Sequence, residues 1–252
     1  MKKILRLLLV ATLCHMLLEA GFASAGEFSV NPIRLELGAN VRSSVIGIKN
    51  DGKQKLSFQL QAMQWTQDSA GKDQYVDTQE LVFFPKILSV EPNEEGLIRV
   101  GSKTAAVLLE KTYRLFIEEL PALSKEPEGS AAQINVLIRF GAPIFIAPLK
   151  PQDNLDIESF NLTNGVVTVA ARNTGNRHQL VQGINLKGTD SGGTEVYALT
   201  LADRYLLTGT AKSYATTIAA GQCAKMTSLS LEFKTDKLSA ARKLDVLRAM
   251  CP

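Results

Sequence analysis

Two histidines, three cysteines and a scatter of carboxylates are all that this 252-residue chain offers to acid–base, nucleophilic or metal chemistry. His15 lies in an apolar amino-terminal run. His178 stands alone between Arg177 and Gln179, so the sequence has no His or Cys cluster at metal-ligand spacing. Neither Cys223 nor Cys251 has a base nearby in sequence, and there is no glycine-rich phosphate loop or nucleophile elbow. Asp and Glu are too dispersed to nominate a general acid and base, which leaves open only a hydrolase using two ordinary carboxylates. No catalytic residue or metal ligand is assigned, and neither a cofactor nor a small-molecule substrate is expected. The composition is that of a binding protein.

The amino terminus sets the compartment. Lys2, Lys3 and Arg6 precede an apolar run over residues 7–18, and Ala23-Ser24-Ala25 is a small-x-small cleavage site. Residues 1–25 therefore read as a secretory signal peptide cleaved after Ala25, giving a periplasmic or otherwise exported protein. As a membrane anchor the run is too short to span. Loss of Lys2, Lys3, Arg6 and Glu19 from 28 basic and 25 acidic residues leaves 25 against 24, a net charge of +1. That balance gives no basic footprint for nucleic acid. Cys14 leaves with the signal. In an oxidising compartment Cys223 and Cys251 most simply form one disulfide, a closure over about 28 residues worth roughly 3 kcal/mol. Two separate buried thiols are the alternative.

The elements that carry these residues are strands. In residues 133–148, Ile134, Val136, Ile138 and Phe140 alternate with Asn135, Leu137, Arg139 and Gly141, as the period of 2 in an extended chain requires. Pro143 and Pro148 bound the run. A long apolar edge strand is either covered within the fold or offered to a partner's sheet. Upstream, Phe28 and Val30 share one parity and Ile33, Leu35 and Leu37 the other. Pro32 at the phase change is where a strand could pass between sheets. Arg34 lies opposite the apolar row of its segment and reads as a solvated arginine.

An Asn50-Asp51-Gly52-Lys53 hairpin signal, an alternating strand to Trp65, an apolar segment over 81–88 interrupted by Pro85, and strands near 97–100 and 113–120 follow. Residues 105–110 look like a helical turn. Seven or so short strands between turn signals read as an immunoglobulin-like sandwich over 26–148. Residues 148–151, Pro-Leu-Lys-Pro, make a stiff linker. Residues 149–252 form a second, smaller β-rich domain, within which 237–250 fit helix or strand equally.

Asn31-Pro-Ile-Arg34, Phe84-Pro85 with Leu88-x-Val90-x-Pro92, Ile98-Arg-Val100, Tyr113-Arg-Leu-x-Ile-x-Glu-Leu-Pro121 and Pro143-Ile-Phe-Ile-Ala-Pro148 occur here in order. In these motifs the chain resembles the PapD-like periplasmic pilus chaperones of the chaperone–usher pathway, and within them the archaic branch serving spore-coat-U-like pilins. The motifs cover the first domain well and the second loosely. The resemblance implies an all-β fold of two immunoglobulin-like sandwiches in a boomerang, without enzymatic activity. It implies pilus subunits (pilins) and an outer-membrane usher as partners. It also implies that Ile134, Val136 and Ile138, with Phe140 continuing the row, complete an incomplete pilin sandwich. It implies as well that a basic cleft between the domains holds the pilin's terminal carboxylate. Arg34 matches the family's first-strand arginine, while the family's lysine falls on Pro143. The second charge is then expected from Arg114, with Arg139 as a third candidate. For each arginine a surface charge or local ion pair is the plainer alternative, and a structural subunit or adhesin on the same sandwich is the alternative function.

Overall fold

Apolar residues recurring at alternate positions build this chain from strands. The computed structural model describes residues 27–104, 107–121 and 136–252. The expected signal peptide and Ile134 lie outside them. In chain order the first strands are β1 (Phe28–Asn31), β2 (Leu35–Leu37), β3 (Ser43–Asn50), β4 (Leu56–Gln67), β5 (Asp73–Asp77), β6 (Leu81–Phe84), β7 (Ile87–Val90), β8 (Glu95–Ser102), β9 (Lys111–Glu119) and β10 (Arg139–Ile146). They form two facing sheets, β1-β3-β8-β6 and β2-β10-β9-β4-β5, with β7 also on β4. The inward rows, among them Ile46, Ile48, Phe58, Ile98, Leu115, Ile117 and Ile144, make one fully buried core. Each such side chain contributes roughly 1.5–3 kcal/mol of burial.

Both prolines within apolar segments mark a change of sheet. β1 pairs with β3, but after Pro32 β2 pairs with β10 in the opposite sheet. The segment over 81–88 is likewise two strands, β6 on β8 and β7 on β4, parted by Pro85. Proline cannot donate to a ladder, so the chain leaves one sheet there and joins the other.

The second half carries β11 (Leu155–Thr163), β12 (Val166–Asn173), β13 (Gln179–Thr189), β14 (Glu195–Leu201), β15 (Tyr205–Leu206), β16 (Ala211–Thr217), the four-residue helix α1 (Ala220–Cys223), β17 (Ser228–Thr235) and β18 (Ser239–Asp245). Its sheets run β11-β12-β16 and β14-β13-β17-β18, with β15 on β13, and they enclose a second core around Val169, Ile184, Leu229, Leu231 and Phe233. Residues 237–250 resolve to a strand and a short 3-10 turn. Pairing with β17 from Ser228↔Asp245 to Lys234↔Ser239 outweighs the local helical period, and Ala240 and Leu244 reach the core. The helical turn expected over 105–110 is not present among its described residues, 107–110.

The two halves use the same turn device. Asn50 and Asn173 are both fully buried at strand ends. Asn50 Nδ2 donates to the carbonyls of Gln54 and Val90 at 2.7 and 3.0 Å, and Asn173 Nδ2 to those of Arg177 and Leu206 at the same distances. Each Oδ1 accepts the N–H of a glycine two residues on, Gly52 or Gly175, at 3.0 Å. Cys223 and Cys251 form a disulfide, with Cα atoms 5.6 Å apart.

Candidate functional site

β10 is paired on both sides for only part of its length. β9 runs antiparallel to it from Arg139↔Glu118 to Ile146↔Lys111, whereas β2 covers its other edge only from Ile144 to Ile146. From Arg139 to Pro143 that second edge has no partner strand among the described residues. Backbone pairing continues backwards to Ile138, whose carbonyl accepts the Glu119 N–H at 2.9 Å.

The even-numbered row of β10 has two fates. Ala142, Ile144 and Ile146 are buried in the first core, and Phe140 packs half-buried against it. Ahead of them Ile138 is half-buried and Val136 is 57% exposed, with Leu137 also exposed on the opposite face. One row is thus covered at its end and uncovered at its beginning, so both outcomes raised by the sequence pattern occur in succession. Ile134, the first residue of the expected row, lies outside the described residues.

The opposite face of this sheet carries the arginines. Arg114 stands directly across from Pro143 in the β9–β10 ladder. Arg34 precedes the Leu35↔Ile144 pair by one residue, so the same register carried one step back sets it beside Pro143 on the other flank. Two strand spacings of about 4.8 Å separate the two backbones by roughly 10 Å, within joint reach of one carboxylate. Pro143 between them is buried and contributes no charge.

Arg114 is the more enclosed of the two, with its side chain 16% exposed. Its guanidinium lies 4.1 Å over the Trp65 ring and 5.9 Å from that of Tyr205. Nη1 donates to the Gly141 carbonyl at 2.9 Å, and Nε has no partner. A Cβ on Gly141 would come within 3.1 Å of the Phe116 ring and 3.6 Å of Arg114 Cδ, so the close approach there suits glycine. Nη2 lies 3.9 Å from Asp73 Oδ2, too far for a hydrogen bond. Arg34 is partly exposed, its Nη2 3.6 Å from Glu36 Oε1. Arg139 is spent differently, with Nε 3.3 Å from Glu118 Oε2 and the guanidinium 4.1 Å over Phe116.

Arg114 sits at the seam between the halves, beside an aromatic cluster that the sequence did not announce. Trp65, Phe145, Tyr205 and Leu207 form a small buried cluster of their own. Phe145 stacks on His178 at 3.7 Å, and Tyr205 meets Trp65 edge-on at 5.4 Å. Glu110 accepts the His178 backbone N–H at 2.8 Å, and both its oxygens lie within 3.0 Å of Nδ1. The solitary histidine is a structural contact between halves. The signal available in sequence was the unbroken apolar run over 144–146, since a strand with both parities apolar is buried on both faces.

Other basic residues along the seam are already satisfied. A cleft of about 490 Å³ is lined in part by Lys111 and Arg172. Lys111 Nζ is 2.6 Å from Glu80, and Arg172 bonds Glu158. Lys111, with Tyr113, holds the Glu80 carboxyl below its ordinary range. Among the described residues no group of three or more His, Cys, Asp or Glu could hold a metal ion.

Residues 27–152 match the family model described as the pili and flagellar-assembly chaperone, PapD N-terminal domain. No curated protein matches the chain. Among solved structures, one chain of the CsuC–CsuE chaperone–tip adhesion subunit pre-assembly complex from archaic chaperone–usher Csu pili of Acinetobacter baumannii aligns with a TM-score of 0.58 at 16% identity, over 86% of this chain and 97% of that one. A chain of the Salmonella enterica SafA pilin–SafB chaperone complex aligns with a TM-score of 0.57 at 12% identity, over 88% and 99%. The Pseudomonas aeruginosa CupB2 chaperone aligns with a TM-score of 0.52 at 15% identity, over 86% and 100%. At these identities the likeness is one of fold, two β-sandwich domains.

Proposed function

The chain belongs to the PapD-like pilus-assembly chaperones, and from that premise we propose that it holds pilus subunits by lending them the residues that lead into β10 together with the first residues of β10 itself. Family and fold are those of non-enzymatic chaperones. A subunit sandwich that lacks a strand exposes an apolar groove and an unpaired edge. The free edge of β10 offers backbone groups to that edge, and the side chains of Ile134, Val136 and Ile138 fill the groove. Phe140, packed on this chain's own core, closes the row from below and takes a smaller share. Arg34 and Arg114 receive the subunit's terminal carboxylate, and Arg139 stands outside that pair. Domain 1 is read as 26–148 and domain 2 as 149–252, with residues 1–25 removed on export to the periplasm and an outer-membrane usher as the recipient of the held subunit.

The observation that carries this reading is the edge of β10 from Arg139 to Pro143, unpartnered among the described residues and continuous with exposed Val136. Co-expression with candidate pilus subunits tests the reading. A tagged chaperone is expected to carry a one-to-one subunit complex through purification from the periplasm. Subunits that accumulate folded and soluble without the chaperone, and never co-purify with it, would show the reading to be wrong.

A further inference from the structure

Each of the two cleft arginines has a carboxylate of this chain as neighbour, at ion-pair but not hydrogen-bond distance. Glu36 Oε1 is 3.6 Å from Arg34 Nη2, and Asp73 Oδ2 is 3.9 Å from Arg114 Nη2. Charge-assisted hydrogen bonds run about 2.7–2.9 Å. Asp73 is not free to close that gap. Its Oδ1 accepts from Gln67 Nε2 at 3.0 Å and its Oδ2 from the Tyr75 hydroxyl at 3.2 Å, and its backbone is in register with Gln67 in the β4–β5 ladder. The orientation of Arg114 comes from other groups, the Gly141 carbonyl and the Trp65 ring. Asp73 is therefore a negative charge fixed near the guanidinium without consuming its donors.

We propose that Asp73, with Glu36 as a weaker counterpart, is a resident anion that holds down the affinity of the arginine cleft for an incoming carboxylate. The proposal rests on the reading of that cleft as the carboxylate site. A subunit carboxylate bound at Arg114 comes within a few ångströms of Asp73, and the two like charges repel. Asp73 also partly neutralises the arginine that attracts the newcomer. Glu36 is the more exposed of the two acids, so solvent weakens its effect. Held in this way, the cleft grips the carboxylate reversibly, as a protein that must later surrender its cargo requires.

Acetate serves as the minimal carboxylate probe. The mature full-length chain, labelled with nitrogen-15 at arginine, is titrated with sodium acetate at ionic strength held constant with chloride, and the side-chain resonances of Arg34 and Arg114 are followed. Wild-type resonances should shift and saturate. Asp73→Asn should tighten acetate binding about two- to fivefold, the range for removing a partly exposed charge contact, and Glu36→Gln should tighten it less. Dispersed amide spectra check that both variants remain folded. If wild type responds but Asp73→Asn binds acetate equally or more weakly, the resident-anion proposal falls while the cleft survives. If neither protein shows a saturable response, the cleft itself is not a carboxylate site, and the proposal fails with it.

Discussion

Arg114 and Pro143 face each other across the β9–β10 ladder, the position on which the resemblance places the family's lysine. Position 143 carries no charge, Arg114 is the cation next to it on β9, and the parallel register of β2 sets Arg34 on the opposite flank. Arg34→Ala and Arg114→Ala should each lower recovery of the subunit complex by about ten- to a hundredfold, the equivalent of roughly 1.5–3 kcal/mol for a charge-assisted contact. Arg139→Ala, whose guanidinium is engaged by Glu118 and Phe116, should change recovery less than about threefold. Quantitative pull-down of co-expressed subunit gives the ranking, and equal recovery from all three variants would relocate the anchor.

The start of the second half depends on Asp153, which takes Arg177 side-on. Nε donates to Oδ1 at 2.8 Å and Nη2 to Oδ2 at 2.5 Å, with Gln179 Nε2 on Oδ1 at 2.9 Å. The Arg177 hydrogen bond holds the Asp153 carboxyl below its ordinary value of 3.8. A depressed carboxyl stabilises the fold above the unfolded pKa and loses that contribution as pH falls through the lower folded one. Stability should therefore decline more steeply below about pH 4 in wild type than in Asp153→Asn. The substitution should itself cost about 1–2 kcal/mol near neutrality, allowing for residual solvent access. Thermal unfolding midpoints between pH 3 and 7 measure both, and parallel curves for the two proteins would refute the assignment.

The Cys223–Cys251 bond ties the carboxyl terminus to the buried end of α1 across a separation of 28 residues. Its reduction should cost roughly 3 kcal/mol. Unreduced mature protein should resist alkylation and weigh about two protons less than the dithiol. A Cys223→Ala, Cys251→Ala chain should melt several degrees lower, with the loss confined to the second half. Two readily alkylated thiols in the native protein would contradict the bond.

How far the sequence is legible follows from which interactions are local. Alternating parity marked β4 and β10, and Pro32 marked the sheet change, because strand faces and missing ladder donors are properties of the chain itself. The hairpin expected at Asn50-Asp51-Gly52 does not form, since β3 and β4 on either side of the turn join opposite sheets, and a turn signal fixes the chain reversal but not the pairing. Residues 237–250 were not legible, since their pairing with β17 is a tertiary choice that a short period-3.6 pattern does not reveal. Phe140 kept the parity of the donor row but met its own core, because parity fixes a face and says nothing of where the covering sheet ends. Trp65, Tyr205 and the Glu110–His178 contact come together across the seam from residues 68 or more apart in the chain. No spacing rule brings them together.

The row on β10 makes opposite demands at its two ends, and this separates binding from folding. Val136 is exposed and Ile138 half-buried, whereas Phe140 packs on the first core. If the early residues fill a subunit groove, each contributes roughly 1.5–3 kcal/mol to the complex and little to the free chaperone, so losing two shifts affinity by about two to four decades. Val136→Ala combined with Ile138→Ala should leave the melting temperature of the free protein within a few degrees of wild type, because solvent-facing truncations usually cost under about 0.5 kcal/mol each. In the periplasm the subunit should then aggregate or be degraded. Phe140→Ala should do the reverse, lowering the free protein's melting temperature through lost core contact while affecting subunit binding less per folded molecule. A double variant that melts far lower yet still binds subunit in its folded fraction would mean that Val136 and Ile138 serve the chain's own core, and that subunits are held elsewhere.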